Sequence, residues 1–138
     1  MEDLLEKYYL KSSSFFEILS HDEALQLKQK TIRKEYSKGE ILFRENSFSK
    51  GVYIVRKGKV KIYQPNLEGK QSIVYIYKKG DYFGYRPLLS EEAHPVSACA
   101  IDQTVISFIP REAFFILLSK SPNLSRKLLV NLSKEFSV

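Results

Sequence analysis

Between residues 31 and 110 the chain breaks into short runs rich in β-branched and aromatic residues, each closed by glycine or a polar turn: 31–36, 40–44, 51–56, 59–64, 71–77 and 97–109. Turn signals spaced roughly eight to twelve residues apart leave no room for crossover helices, so the strands must pair antiparallel in a small sandwich or barrel. Lys57-Gly58 and Leu67-Glu68-Gly69-Lys70 read as the clearest hairpin turns. Within the run 59–64, Lys59 and Lys61 alternate with Val60 and Ile62, which puts the charges on one face and the branched residues on the other. A solvated sheet face explains those lysines first, and a nucleic-acid stripe second.

Helical periodicity flanks this central region. Residues 3–10 place Leu4, Leu5, Tyr8 and Tyr9 on one side, and Ser20 or Asp22 can cap a helix running through Lys30. After Pro110, Phe114, Leu117 and Leu118 fall at helical spacing. Ser121 then precedes Pro122, a good helix start because serine caps and proline is tolerated at the first helical position. The last helix sets Leu124, Leu128, Leu132 and Phe136 four apart with Leu129 alongside, a stripe read first as a face packed on its own domain and second as a subunit interface. The expected architecture is one mainly β domain: residues 1–30 helical, 31–110 a jelly-roll-like β-roll, and 111–138 two helices.

At 138 residues, 43% of them apolar with nine Phe and nine Tyr, a single domain can bury a substantial core. No segment approaches the roughly 18 apolar residues that span a bilayer, and Met1-Glu2-Asp3-Leu4-Leu5-Glu6-Lys7 carries acids where a signal peptide carries bases, so a soluble cytoplasmic protein with no membrane partner is expected. The lone Cys99 lies in an apolar run, which excludes an internal disulfide and favours a buried, inert thiol. A net charge of +6 favours contact with anions without identifying them.

The stretch Gly80-Asp81-Tyr82-Phe83-Gly84-Tyr85-Arg86-Pro87-Leu88-Leu89 has the form of an anion-binding turn, a glycine closing a strand and opening a short helix whose free N–H groups point outward. Taken with Lys38-Gly39-Glu40, then Arg56-Lys57-Gly58-Lys59-Val60, then Gly69, it gives five glycine turns in a distinctive order. From about Tyr36 to Pro122 the chain resembles the cyclic nucleotide-binding domain of the catabolite activator protein / Crp-Fnr regulator family. The resemblance implies a β-roll flanked by helices, a dimer formed through the last helix, and DNA binding only through a helix-turn-helix domain that these 138 residues do not contain. The chain is therefore expected to be a sensory domain or a stand-alone sensor. Where the family has another glycine, Asn46 stands, a residue that also accepts a left-handed backbone.

The same resemblance implies a phosphate-binding cassette, and there this chain departs. Gly84 matches the family's glycine, but Tyr85 replaces the glutamate that takes the ribose hydroxyl. His94 falls at the arginine that grips the cyclic phosphate, and Pro87 and Pro95 fall where main-chain N–H groups are used. At about 1.5–3 kcal/mol for each hydrogen bond to a charged group, these losses amount to several decades of affinity. The expected pocket comprises Phe83, Gly84, Tyr85, Arg86, Pro87, His94, Pro95 and Val96, with Arg86 and a protonated His94 as substitutes for the lost clamp. Arg86, preceding Pro87, is expected to be extended.

The leading functional expectation is a non-catalytic sensor that takes another small molecule or none, with no cofactor assured. The second is a cyclic AMP or cyclic GMP binder using Arg86 and His94. A cupin-like metalloenzyme comes last, since His21 and His94 are the only histidines and no nucleophile motif is present.

Overall fold

The computed structural model describes residues 19–136. Helix α1 (His21–Lys30) is followed by β1 (Ile32–Tyr36), β2 (Ile41–Phe43), β3 (Gly51–Lys57), β4 (Lys59–Pro65), β5 (Gln71–Lys78), β6 (Tyr82–Phe83), α2 (Tyr85–Ser90), β7 (Ser97–Ala100), β8 (Thr104–Pro110), α3 (Arg111–Lys120) and α4 (Pro122–Phe136). The strands form two four-stranded antiparallel sheets, ordered β1-β8-β3-β6 and β2-β7-β4-β5. This is the mainly β roll with flanking helices that the sequence implies. The helix expected over residues 3–10 lies outside the described residues.

Side-chain alternation divides the interior into two cores. Tyr53, Val55, Val60, Ile62, Tyr77, Phe83, Ala98, Ile106 and Phe108 fill the space between the sheets. Val52, Ile54, Tyr82 and Ile109, from the other face of the first sheet, pack with Leu27, Phe114, Leu117, Leu124 and Leu128 of the helices. The run Gly51–Val55 is buried throughout because its strand is covered on both faces. In β4, Val60 and Ile62 point inward while Lys59 is exposed and Lys61 half-exposed, as the alternation requires. Cys99 is buried.

The helix boundaries follow local chemistry. The Ser20 hydroxyl accepts the Glu23 N–H at 3.2 Å and the Glu23 carboxylate accepts the Ser20 N–H at 2.9 Å, a reciprocal capping box. That N–H, and then the Ser121 hydroxyl, hold the Glu23 carboxyl below the usual carboxylate range. Ser121 in turn caps α4 by accepting the Leu124 N–H at 3.3 Å. In α4 Leu124 and Leu128 are buried, whereas Leu129 and Val130 are exposed.

Three local expectations need correction. The Lys57-Gly58 turn joins no hairpin: β3 pairs with β8 and β6, and β4 with β5 and β7, so the turn carries the chain from one sheet to the other. The run 97–109 is two strands separated by a second such passage, where Asp102 accepts the Lys59 N–H at 3.0 Å. Arg86 is helical rather than extended. Pro87 occupies the third helical position, where a missing N–H leaves no intrahelical bond unmade, and Gly84 starts the turn.

Gly58 is required at its passage twice over. Its φ is +85°, and a Cβ would lie 2.5 Å from the Thr104 hydroxyl and 2.6 Å from the Gln103 carbonyl. Gly58→Ala is therefore expected to lower the unfolding free energy in urea by about 1–3 kcal/mol, from backbone strain with the clash added.

Candidate functional site

The cassette begins where β6 turns into α2. Tyr82 and Phe83 are adjacent in a strand, so their side chains leave on opposite faces: Tyr82 joins the core beneath the helices and Phe83 the core between the sheets. Gly84 follows with φ +88°, and a Cβ there would sit 3.2 Å from both the Gly51 carbonyl and the Tyr53 ring. The glycine thus serves close packing of α2 on β3 as well as the left-handed turn.

Beyond it, Tyr85 is buried on the helix side, its ring 5.4 Å from Tyr82. The residue at the family's glutamate position therefore neither fills nor lines the space between the sheets. Arg86 is half-buried, Pro87 and Leu88 are buried, and Glu91 ends the helix at φ +60°. At the first turn of α2, Tyr85 and Arg86 have main-chain N–H groups and Pro87 has none.

His94 is held by a two-sided backbone clasp. Its N–H donates to the Ser47 carbonyl at 2.9 Å, and its carbonyl accepts the Asn46 N–H at 2.8 Å, with Asn46 left-handed at φ +69°. The clasp turns the imidazole inward, where it is 2% exposed and lies face to face on Phe43 at 3.7 Å and 10°. Burial pushes its pKa down to about 4, so the ring is neutral at physiological pH.

From His94 and Phe43 a continuous column of rings runs through the roll. Phe43 meets Tyr53 at 5.4 Å and Phe83 at 6.2 Å, Phe83 stacks on Tyr53 at 5.3 Å and on Tyr77 at 4.5 Å, and Tyr53 meets Phe108 at 5.0 Å. Burial, with Tyr36 adding to it, pushes the Tyr53 phenol well above its usual range. Lys34 approaches this column from β1, its Nζ 4.1 Å from the centre of the Phe108 ring.

Of the expected pocket residues, the structure brings together Phe83, His94 and Val96, which meet or pack against the inter-sheet cluster. Tyr85 goes to the other core, Arg86 remains half-exposed on α2, and Pro95 is exposed with its carbonyl accepting the Gln64 side-chain amide at 3.1 Å. Sequence reasoning missed Phe43, Tyr53, Tyr77 and Phe108. Their signal was present in the period-two alternation that already sent Val60 and Ile62 inward. Among the described residues no group of three or more His, Cys, Asp or Glu is placed to hold a metal ion, and no helix is long and apolar enough to cross a membrane.

A family model described as the cyclic nucleotide-binding domain matches residues 33–121. The chain is 26% identical over 125 residues to the cyclic AMP receptor protein of Thermus thermophilus, which covers 91% of this chain and 58% of that protein. It is 34% identical over 98 residues to the transcriptional activator protein Anr of Pseudomonas protegens, covering 71% and 40%. Among solved structures, the catabolite activator protein of Thermus thermophilus superposes with a TM-score of 0.75 at 25% identity, over 84% of this chain and 55% of that one. The chain spans 58% and 40% of the lengths of the two sequence relatives.

The neutral, buried His94 has a consequence for stability. Its folded pKa of about 4 lies below the ordinary 6.5, so the unfolded chain takes up the proton first. The stability it contributes is complete above pH 6.5 and is lost as pH falls toward 4, at up to about 1.4 kcal/mol for each pH unit. Urea unfolding across that range is expected to show a loss of about 3 kcal/mol in the wild type, and a much smaller loss in His94→Phe, which keeps a ring on Phe43. The Glu23 carboxyl, lowered from 4.5, adds its own loss only from about pH 4.5 downward, at the acid end of that window and below it.

Proposed function

Because this chain belongs to the cyclic nucleotide-binding domain family of the Crp-Fnr regulators, we propose that it is a non-catalytic regulatory domain that has kept the family's roll and given up the usual mode of cyclic nucleotide binding. The observation that carries this reading is the aromatic column. Phe43, Tyr53, Tyr77, Phe83 and His94 occupy the space between the sheets with one another. A nucleotide entering there has to displace at least three stacked pairs. At about 0.5–1.5 kcal/mol each, that costs roughly one to three decades of affinity before any phosphate contact is counted.

The electrostatics point the same way. A cyclic phosphate needs a fixed positive charge or several free amides, and His94 is neutral where the family resemblance puts an arginine. Tyr85 belongs to the other core, and Pro87 lacks an N–H. Output fits α4: Leu124 and Leu128 fasten its first turns to the domain, and Leu129 and Val130 then face solvent, which suits pairing with a second copy. DNA binding, as in relatives named as transcriptional regulators, would require a domain outside these residues.

Titration calorimetry with cyclic AMP and cyclic GMP, each to about 1 mM at about pH 6 and pH 8, tests the reading. No saturable heat is expected at either pH. A micromolar dissociation constant would overturn the proposal. Binding that strengthened at the lower pH would restore His94 as a cationic ligand and contradict its burial.

A further inference from the structure

Strand β5 lies at the edge of the second sheet, and among the described residues nothing pairs with its far side. At eight residues it is the longest strand of the roll, and Ile73 and Ile76 on it are 54% and 45% exposed. Long apolar edges invite strand addition, and proteins ordinarily cover or shorten them.

The backbone direction at Ile76 follows from the register. The Lys59 N–H donates to Asp102 and its carbonyl accepts the Ile101 N–H, so Lys59 bonds away from Lys78, its cross-strand partner. In an antiparallel pair this alternates every two residues, so Lys61 and Ile76, the next such pair, also bond away from each other. The amide and carbonyl of Ile76 therefore point outward from the sheet edge. Lys78 has the same direction, but its N–H is held by the buried Asp81 carboxylate at 2.9 Å and its carbonyl accepts the Asp81 N–H at 3.0 Å, so the open edge ends at Ile76.

Charge says which strand fits. Strands β4 and β5 contain Lys59, Lys61 and Lys78 and no acidic residue, and Lys57, Lys70 and Lys79 flank them. Lys59 and Lys78 sit directly opposite each other, an unfavourable like-charge pair, and among the described residues neither is in a salt bridge. The nearby Asp81 and Asp102 accept the main-chain N–H groups of Lys78 and Lys59. Two copies of this edge would bring together two surfaces of the same positive sign, which opposes self-pairing, whereas an acidic strand would relieve the repulsion.

We propose that the edge of β5 is a docking site for an extended acidic segment of a partner polypeptide, which adds to the second sheet as a fifth strand. Its apolar residue lies beside Ile76, and a carboxylate where the segment leaves the edge, before Asp81, reaches toward the Lys78 ammonium group. The exposed isoleucines favour a polypeptide over a phosphodiester chain, which would use the lysines and leave the apolar side chains uncovered.

The test is fluorescence anisotropy of a labelled ten-residue peptide of alternating Glu and Val, titrated with the full chain, alongside a ten-nucleotide oligothymidylate. A dissociation constant on the order of 10–100 μM is expected for the peptide in about 50 mM salt, weakening several-fold at about 500 mM. Amide exchange at Ile76 should slow about tenfold in the saturated complex, as a new backbone hydrogen bond requires. The double variant Lys59→Glu, Lys78→Glu, checked for folding by its urea midpoint, should bind at least about tenfold more weakly. No binding at about 1 mM peptide overturns the proposal, as does oligothymidylate binding as tightly as the peptide or protection appearing away from β5.

Discussion

Strand β3 sends side chains into two cores at once, Val52 and Ile54 beneath the helices and Tyr53 and Val55 between the sheets. It is the layer through which the two halves of the molecule feel each other. The β8 strand lies on one side of it and β6 on the other, and the Gly51 carbonyl and Tyr53 ring set how closely Gly84 and α2 approach. A displacement of the Tyr53 ring in the inter-sheet core therefore bears directly on the turn that starts α2.

The helix layer has its own tie. Glu23 closes the capping box of α1 and lies beside Ser121, the residue that caps α4. Leu27, Leu124 and Leu128 share the cluster that contains Val52 and Ile54. The position of α4 is thus fixed by polar contacts at its first turn and by β3 underneath. Farther along, Leu129 and Val130 face solvent.

Much of the fold was legible because alternation and turn chemistry are local. The strand runs, the Ser20 cap and the Ser121 start all depend on residues within a few positions of one another. What sequence could not show was which sheet a strand joins. Lys57-Gly58 looks like a hairpin turn from its neighbours, and only the nonlocal pairing of β3 with β8 and of β4 with β7 makes it a passage between sheets. The two-residue β6 was illegible for the same reason, since Tyr82 and Phe83 are too few to display a period. The candidate site divided along that line too. From the sequence, Tyr85 and His94 are expected to depart from the family pattern and to line one pocket. Their burial in separate cores depends on long-range packing, in particular on the clasp between residues 46–47 and His94.

The glycine of the α2 turn and the ring of His94 answer to different constraints. Gly84 is held by constraints that have nothing to do with a ligand: a left-handed φ and a Cβ position already crowded by the Gly51 carbonyl and the Tyr53 ring. A side chain there would disturb the packing of α2 on β3 whether or not a phosphate ever bound. Folding alone therefore requires the glycine, whereas a side chain that meets only a ligand is not required by folding. At His94 burial favours the neutral ring, and stacking on Phe43 adds to the core instead of opposing it. On the function proposed above, the backbone outline and the electrostatics of the cassette can part company, because the two rest on different residues and different forces.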